Sequence, residues 1–234
     1  MAADNRPKLI EMIATWYEEA GKYNVLPIDS RGSLRFADER PQITADRTSY
    51  TYYPGTQVVP TNAAPRVLNR PHSITADVEI PAGGAEGILL SQGDIEAGYV
   101  FFVKGGKLHW VHNYVAKAFY HVESVEDIPE GRHQLRFEFE VTGKPDVPSG
   151  KGSPGKAQLY IDGKLVGQVE VPVTTPLSLG LIGLSCGAAH GAPVTPDYKP
   201  PFEFTGKIHS VTVDVSGQLI EDKEAEARMH MARQ

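Results

Sequence analysis

Sulfur is scarce in this chain. Cys186 is the only cysteine among 234 residues, which excludes an internal disulfide and leaves too little thiolate for a structural zinc site. It reads as a small apolar residue at a strand edge. Long apolar runs are missing too: the longest are strand-sized, and MAADNRPK at the N-terminus lacks the apolar centre of a secretory signal. A soluble, cytoplasmic chain with no membrane partner is the expectation. Positive charge is in the minority, 23 Lys and Arg against 29 Asp and Glu for a net charge of −6. No basic patch interrupts it, so nucleic acid is not an expected partner. Catalytic spacings are also thin. The chain has no calcium loop of alternating Asp and Asn and no Glu-x-Asp-x-x-Glu of a retaining β-sandwich glycosidase.

What the sequence does hold is two-residue alternation. In AQLYIDGKLVGQVEV, Ala157 to Val171, two alternating arms meet at Asp162-Gly163, whose backbone suits a type I′ turn, and Leu159, Ile161 and Leu165 are expected to share one face. Further strands are expected over Thr48–Tyr53, His72–Ile80, Glu86–Gln92, Tyr99–Lys104, Lys107–Tyr114, Phe119–Glu123, Gly131–Val141, Leu177–Cys186 and Lys207–Val215. In the last of these Ile208 falls out of step with Val211, Val213 and Val215, which predicts a bulge near His209. The fold class is mainly β, an antiparallel β-sandwich. Residues 70–217 form its body, after an N-terminal helix over 1–22 and an extended connector with one strand over 23–69. The charged tail 218–234 is expected to fray.

The helix is the one strong helical pattern. Leu9, Ile10, Ile13, Trp16, Tyr17 and Ala20 recur at helical spacing behind a cap at Asp4 or Asn5. An apolar stripe of that kind needs a partner, and Leu9, Ile13, Trp16 and Tyr17 are the candidate interface.

Eight histidines raise the question of a metal. His109 and His112 are close in sequence, but their odd offset sends them to opposite faces of a strand, so no metal site is expected. His121 is the better companion for His112, on a neighbouring strand. Trp110, His112, Tyr114, Tyr120 and His121 then make a candidate aromatic platform for a ligand, or a cross-strand aromatic surface covered by the connector, which the pattern favours. Asp94 and Glu96 read as solvated acids of a turn, with a weak calcium site as the alternative.

Several long phrases go beyond pattern: KYNVLPIDSR (22–31), RPQITADRTSYTYYPGTQ (40–57), NRPHSITADVEIPAGGAEGILLSQG (69–93), GKLHWVHNY (106–114), QLYIDGKLVG (158–167) and PPFEFTGKIHSVTVDVSG (200–217). Through them the chain resembles the C-terminal region of bacterial arylsulfatases of the type-I sulfatase family. In that family the chemistry lies in an upstream α/β domain, where the Cys or Ser of Cys/Ser-x-Pro-x-Arg becomes formylglycine beside a calcium ion. Neither is expected here. Cys186 lies in SCGAA, without the Pro and Arg, so it is not carried over as a nucleophile. The resemblance implies no cofactor within this chain, a helix that ends or joins the catalytic domain, and either that domain or another copy of the chain as partner. The strand succession also resembles a concanavalin or laminin-G type jelly roll. Three readings follow: a non-catalytic sandwich with a structural or assembly role, a lectin-like module binding carbohydrate or a sulfated ligand, and, by family alone, a sulfuric ester hydrolase.

Overall fold

Alternation builds the molecule, which a computed structural model describes over residues 5–28, 47–55, 57–178 and 180–232. Helix α1 (Arg6–Lys22) comes first. Among the described residues the strands are β1 (Ser49–Tyr52), β2 (His72–Ile80), β3 (Gly87–Gly93), β4 (Gly98–Lys104), β5 (Lys107–Tyr114), β6 (Ala118–Asp127), β7 (Gly131–Val141), β8 (Gly155–Ile161), β9 (Lys164–Val171), β10 (Leu184–Cys186) and β11 (Lys207–Asp214), before helix α2 (Lys223–Ala232). They pair antiparallel in a six-stranded sheet, ordered β1, β11, β2, β7, β8, β9, and a five-stranded sheet, ordered β10, β3, β4, β5, β6. The result is a two-sheet jelly-roll sandwich.

Each sheet turns one face inward. Ile74, Ala76 and Val78 of β2, Leu135 and Phe137 of β7, and Ala157 and Leu159 of β8 are all fully buried. They meet Leu90, Phe101 and Trp110 of the other sheet in one core, where Trp110 stacks on Phe137 at 4.3 Å. The outward faces differ. On the six-stranded sheet the outward side chains are polar and reach water, as alternation requires of a half-buried sheet. On the five-stranded sheet Ile88, Val100, Phe102 and Val111 point outward and are covered by Ala189, Val194 and Tyr198 of the returning segment 187–206. Strands β3, β4 and β5 are thus buried on both faces.

The sequence expectations need three corrections. Asp162 and Gly163 do turn the β8–β9 hairpin with positive φ, but the register slips between Leu159 and Tyr160, so that Leu159 faces Gly167 and Tyr160 faces Leu165. The bulge sends Val166 into the core and leaves Leu165 exposed. Leu177–Cys186 shrinks to β10, because at Gly180 and Gly183 the backbone crosses close over Gly93 and Val59, where a side chain would collide. The tail forms α2: Asp222 caps it by accepting from the Ala225 N–H, and Arg66 forks to Glu221 at 2.8 Å and Glu226 at 2.7 Å. Helix α1 keeps Leu9, Ile13, Trp16 and Tyr17 exposed, each above 40%. The expected bulge in β11 sits between Ile208 and Ser210. Part of the expected connector, 29–46, lies outside the described residues. No helix among the described residues is long and apolar enough to cross a membrane.

Candidate functional site

The five aromatic candidates do not form a surface. Trp110, His112 and Tyr114 alternate along the inner face of β5, and His112 lies opposite Tyr120 of β6, on that same face. Trp110 is 2% and His112 3% exposed. With Asn69, His72, Tyr99 and Thr174 they line a cavity of ≈ 20 Å³, room for nothing larger than one water molecule. The His112 Nε2 accepts from the Thr175 N–H at 3.1 Å, and the Tyr114 hydroxyl donates to the Gly150 carbonyl at 3.0 Å. Burial pulls the His112 pKa down to about 3 and that of His72 down to about 4, so both rings are neutral: His112 accepts from Thr175, while His72 donates from Nδ1 to the Arg70 carbonyl at 3.0 Å. The Trp110 indole Nε1 has no hydrogen-bond partner among the described residues.

His121 is not the companion of His112. It pairs with Val111, so its ring lies on the outer face, where it meets His109 at 3.0 Å between Nε2 and Nδ1. Even and odd positions were sorted correctly by alternation along β5. The cross-strand register, which pairs Tyr114 with Ala118 at the turn and so sets His112 opposite Tyr120, is not readable from alternation.

The accessible site is elsewhere, on the outer face of the six-stranded sheet. Here the register lines up polar side chains across four strands: Asp214, Ser73, Glu138 and Gln158 in one row, and Thr212, Thr75, Arg136 and Tyr160 in the next. A groove of ≈ 380 Å³ runs over the first row, with His72, Phe139 and Ser216 at its end. Arg136 Nη2 donates to Glu138 Oε1, and Gln158 Nε2 donates to the Tyr160 hydroxyl at 3.1 Å. The Arg136 Nε is buried and has no acceptor among the described residues. Hydrogen bonds from the Ser216 hydroxyl and N–H hold the Asp214 carboxyl below its usual range, so it is ionised at neutral pH. Sequence reading registered these residues only as the outward half of good strands.

Two further features are structural. Asp94 is buried, not solvated: Oδ1 accepts from the Glu96 N–H at 2.9 Å and Oδ2 from the Leu181 N–H at 2.8 Å. Both oxygens organise the turn. The sequence-based expectation of no Gly-x-Ser-x-Gly nucleophile elbow is corrected: residues 183–187, GLSCG, have that spacing. Yet Ser185 lies flat in β10, 2% exposed, with no partner for its Oγ among the described residues, so nothing there makes it a nucleophile. Burial pushes the neighbouring Cys186 thiol up to about 12.

No family model matches the chain, and no curated protein matches it. Among solved structures it is similar to the CBM40 of the Ruminococcus gnavus IT-sialidase bound to α2,3-sialyllactose, at 12% identity and a TM-score of 0.48 over 69% of this chain and 83% of that one. It is also similar to domains LG4-5 of the mouse laminin α1 chain, at 16% identity and a TM-score of 0.48 over 80% of this chain and 46% of that one. A third is a SAP-like pentraxin from Limulus polyphemus, at 12% identity and a TM-score of 0.37 over 77% and 80% of the two chains.

Proposed function

We propose that this chain is a non-catalytic binding module for a neutral carbohydrate, held in the groove on the outer face of the six-stranded sheet. The observation that carries the reading is the row Asp214, Ser73, Glu138 and Gln158 beside Arg136 in one groove. Sugar hydroxyls both donate and accept, and such a row offers carboxylates, amide, hydroxyl and guanidinium within one groove. Tyr160 adds a ring against which a sugar face can pack. Glu138, Glu140 and Asp214 around a single Arg136 disfavour a sulfated ligand, because like charge repels a sulfate more than one paired guanidinium attracts it. Screening of the chain against neutral and sulfated oligosaccharides, followed by calorimetry, tests this. Saturable binding of a neutral glycan that falls at least tenfold in Glu138→Gln and in Arg136→Ala is expected. Absence of any binding glycan, preference for sulfated ones, or undiminished binding by both variants would overturn the reading.

A second reading gives the chain an assembly role as the C-terminal sandwich of an arylsulfatase-like protein. The exposed Leu9, Ile13, Trp16 and Tyr17 of α1 favour it, with the upstream catalytic domain as the partner that the resembling phrases imply. An isolated chain that dimerises in sedimentation, and is returned to monomer by Ile13→Asp with Trp16→Lys, would assign the stripe to a second copy instead.

A further inference from the structure

We propose that His109, His121 and Glu123 form a binding site for a divalent transition-metal ion, zinc by the chemistry of the donors, on the outer face of the five-stranded sheet. The sequence reading expected no metal, because it set His109 against His112. The cross-strand register instead places Glu123 directly opposite His109 and brings His121 in diagonally. His109 Nδ1 lies 3.0 Å from His121 Nε2 and 3.7 Å from Glu123 Oε2, and the three donor atoms lie within 4.8 Å of one another. Donors about 2.0 to 2.1 Å from a tetrahedral zinc are about 3.3 Å apart, so the spacing needs only small side-chain shifts.

The supporting contacts are those a metal site needs. His109 Nε2 lies 3.0 Å from the Lys104 carbonyl. A carbonyl only accepts, so Nε2 carries the hydrogen and Nδ1 presents its lone pair to the other two residues. The ring is 7% exposed and stacks on Phe102 at 4.9 Å, which fixes its orientation. Burial lowers the His109 pKa, and a hydrogen bond from Lys107 lowers that of Glu123, so at neutral pH the imidazole is neutral and the carboxylate charged. Lys107 Nζ reaches Glu123 Oε1 at 3.2 Å, leaving Oε2 on the His109 side. Without metal, the His121 Nε2–H donates to the His109 Nδ1 lone pair. On binding, that proton moves to the ring's own Nδ1 through solvent, and Nε2 becomes a ligand. His121 and Glu123 are exposed on the edge strand β6, so a fourth position is open to water. The donor set of two imidazoles and one carboxylate suits zinc over magnesium or calcium, which prefer oxygen alone.

The test is calorimetric titration of chelator-treated full-length chain with zinc chloride, alongside His121→Ala, Glu123→Gln and, as a control, His190→Ala, which changes an exposed histidine. One ion per chain is expected, weakened at least tenfold in the first two variants and unchanged in the third. Both substitutions are at exposed positions, and circular dichroism confirms that the fold persists. Calcium chloride in place of zinc should give no saturable heat. Absence of zinc binding by the wild-type chain, or equal affinity in wild type, His121→Ala and Glu123→Gln, would overturn the assignment; either result leaves the carbohydrate groove on the opposite sheet untouched.

Discussion

At the scale of single residues, Phe137 and Tyr160 separate what the core needs from what the surface tolerates. Phe137 is fully buried and stacks on Trp110, whereas Tyr160 stands on the outer face of the neighbouring strand, only part-buried. Phe137→Ala should therefore cost about 3 to 5 kcal/mol, from lost transfer energy and the cavity left behind. Tyr160→Ala should cost much less, roughly 1 kcal/mol or under. Urea denaturation of the two variants measures the difference, and equal losses would mean that the inward and outward sets are exchanged. Phe137 is legible from Leu135, Phe137 and Phe139 alternating with Arg136 and Glu138, and Tyr160 from its place between Leu159 and Ile161. Whether Trp110 and His112 face water was not legible, because β5 is buried on both sides and alternation then carries no inside or outside label. The covering residues Ala189, Val194 and Tyr198 come from a proline-rich stretch with no period of its own, which nothing in the sequence assigns to a sheet face.

Among the elements, the two sheets approach most closely where β9 passes β6. A side-chain carbon on Gly167 would sit 2.5 Å from the Glu123 carbonyl oxygen, a backbone atom that cannot swing aside. Gly167→Val should therefore part the strands and lower stability by about 2 kcal/mol or more, measured as a fall in the thermal midpoint. A variant as stable as wild type would show that the seam is looser than this packing implies. Glycine there marks a close approach of backbones, since its φ is ordinary, and the sequence offers only GKLVGQVEV, in which the residue reads as a weak point in a strand. The hairpin turn was legible from Asp162-Gly163 because its chemistry is local. The β8–β9 bulge was not, since it depends on which of Leu165 and Val166 the opposite sheet can accommodate.

For the whole molecule, acidity is the sharpest probe. Native His72 and His112 hold pKa values of about 4 and about 3, against an ordinary value of 6.5, because burial opposes their charged form. An unfolded chain takes up protons below about pH 6.5 that the native chain refuses, so their contribution is complete above that pH and is lost as pH falls towards 4 and then 3. Asp77, held low by its hydrogen bond from Arg132, and Asp214 add their own loss only below about pH 4. Denaturant midpoints should decline between pH 6.5 and 4.5, and His112→Gln, whose amide oxygen can still accept from Thr175, should decline less steeply while starting lower. A wild-type midpoint constant across that range would contradict the buried, neutral histidines. The difference between the two outward faces has a consequence of another kind. Strands β3, β4 and β5 are walled in on both sides, so nearly every change along them disturbs packing, while Ser73, Thr75, Glu138, Gln158 and Thr212 touch water and can be exchanged with little effect on folding. The outer face of the six-stranded sheet can thus be redrawn, by mutation in nature or at the bench, with β3, β4 and β5 left intact as ballast.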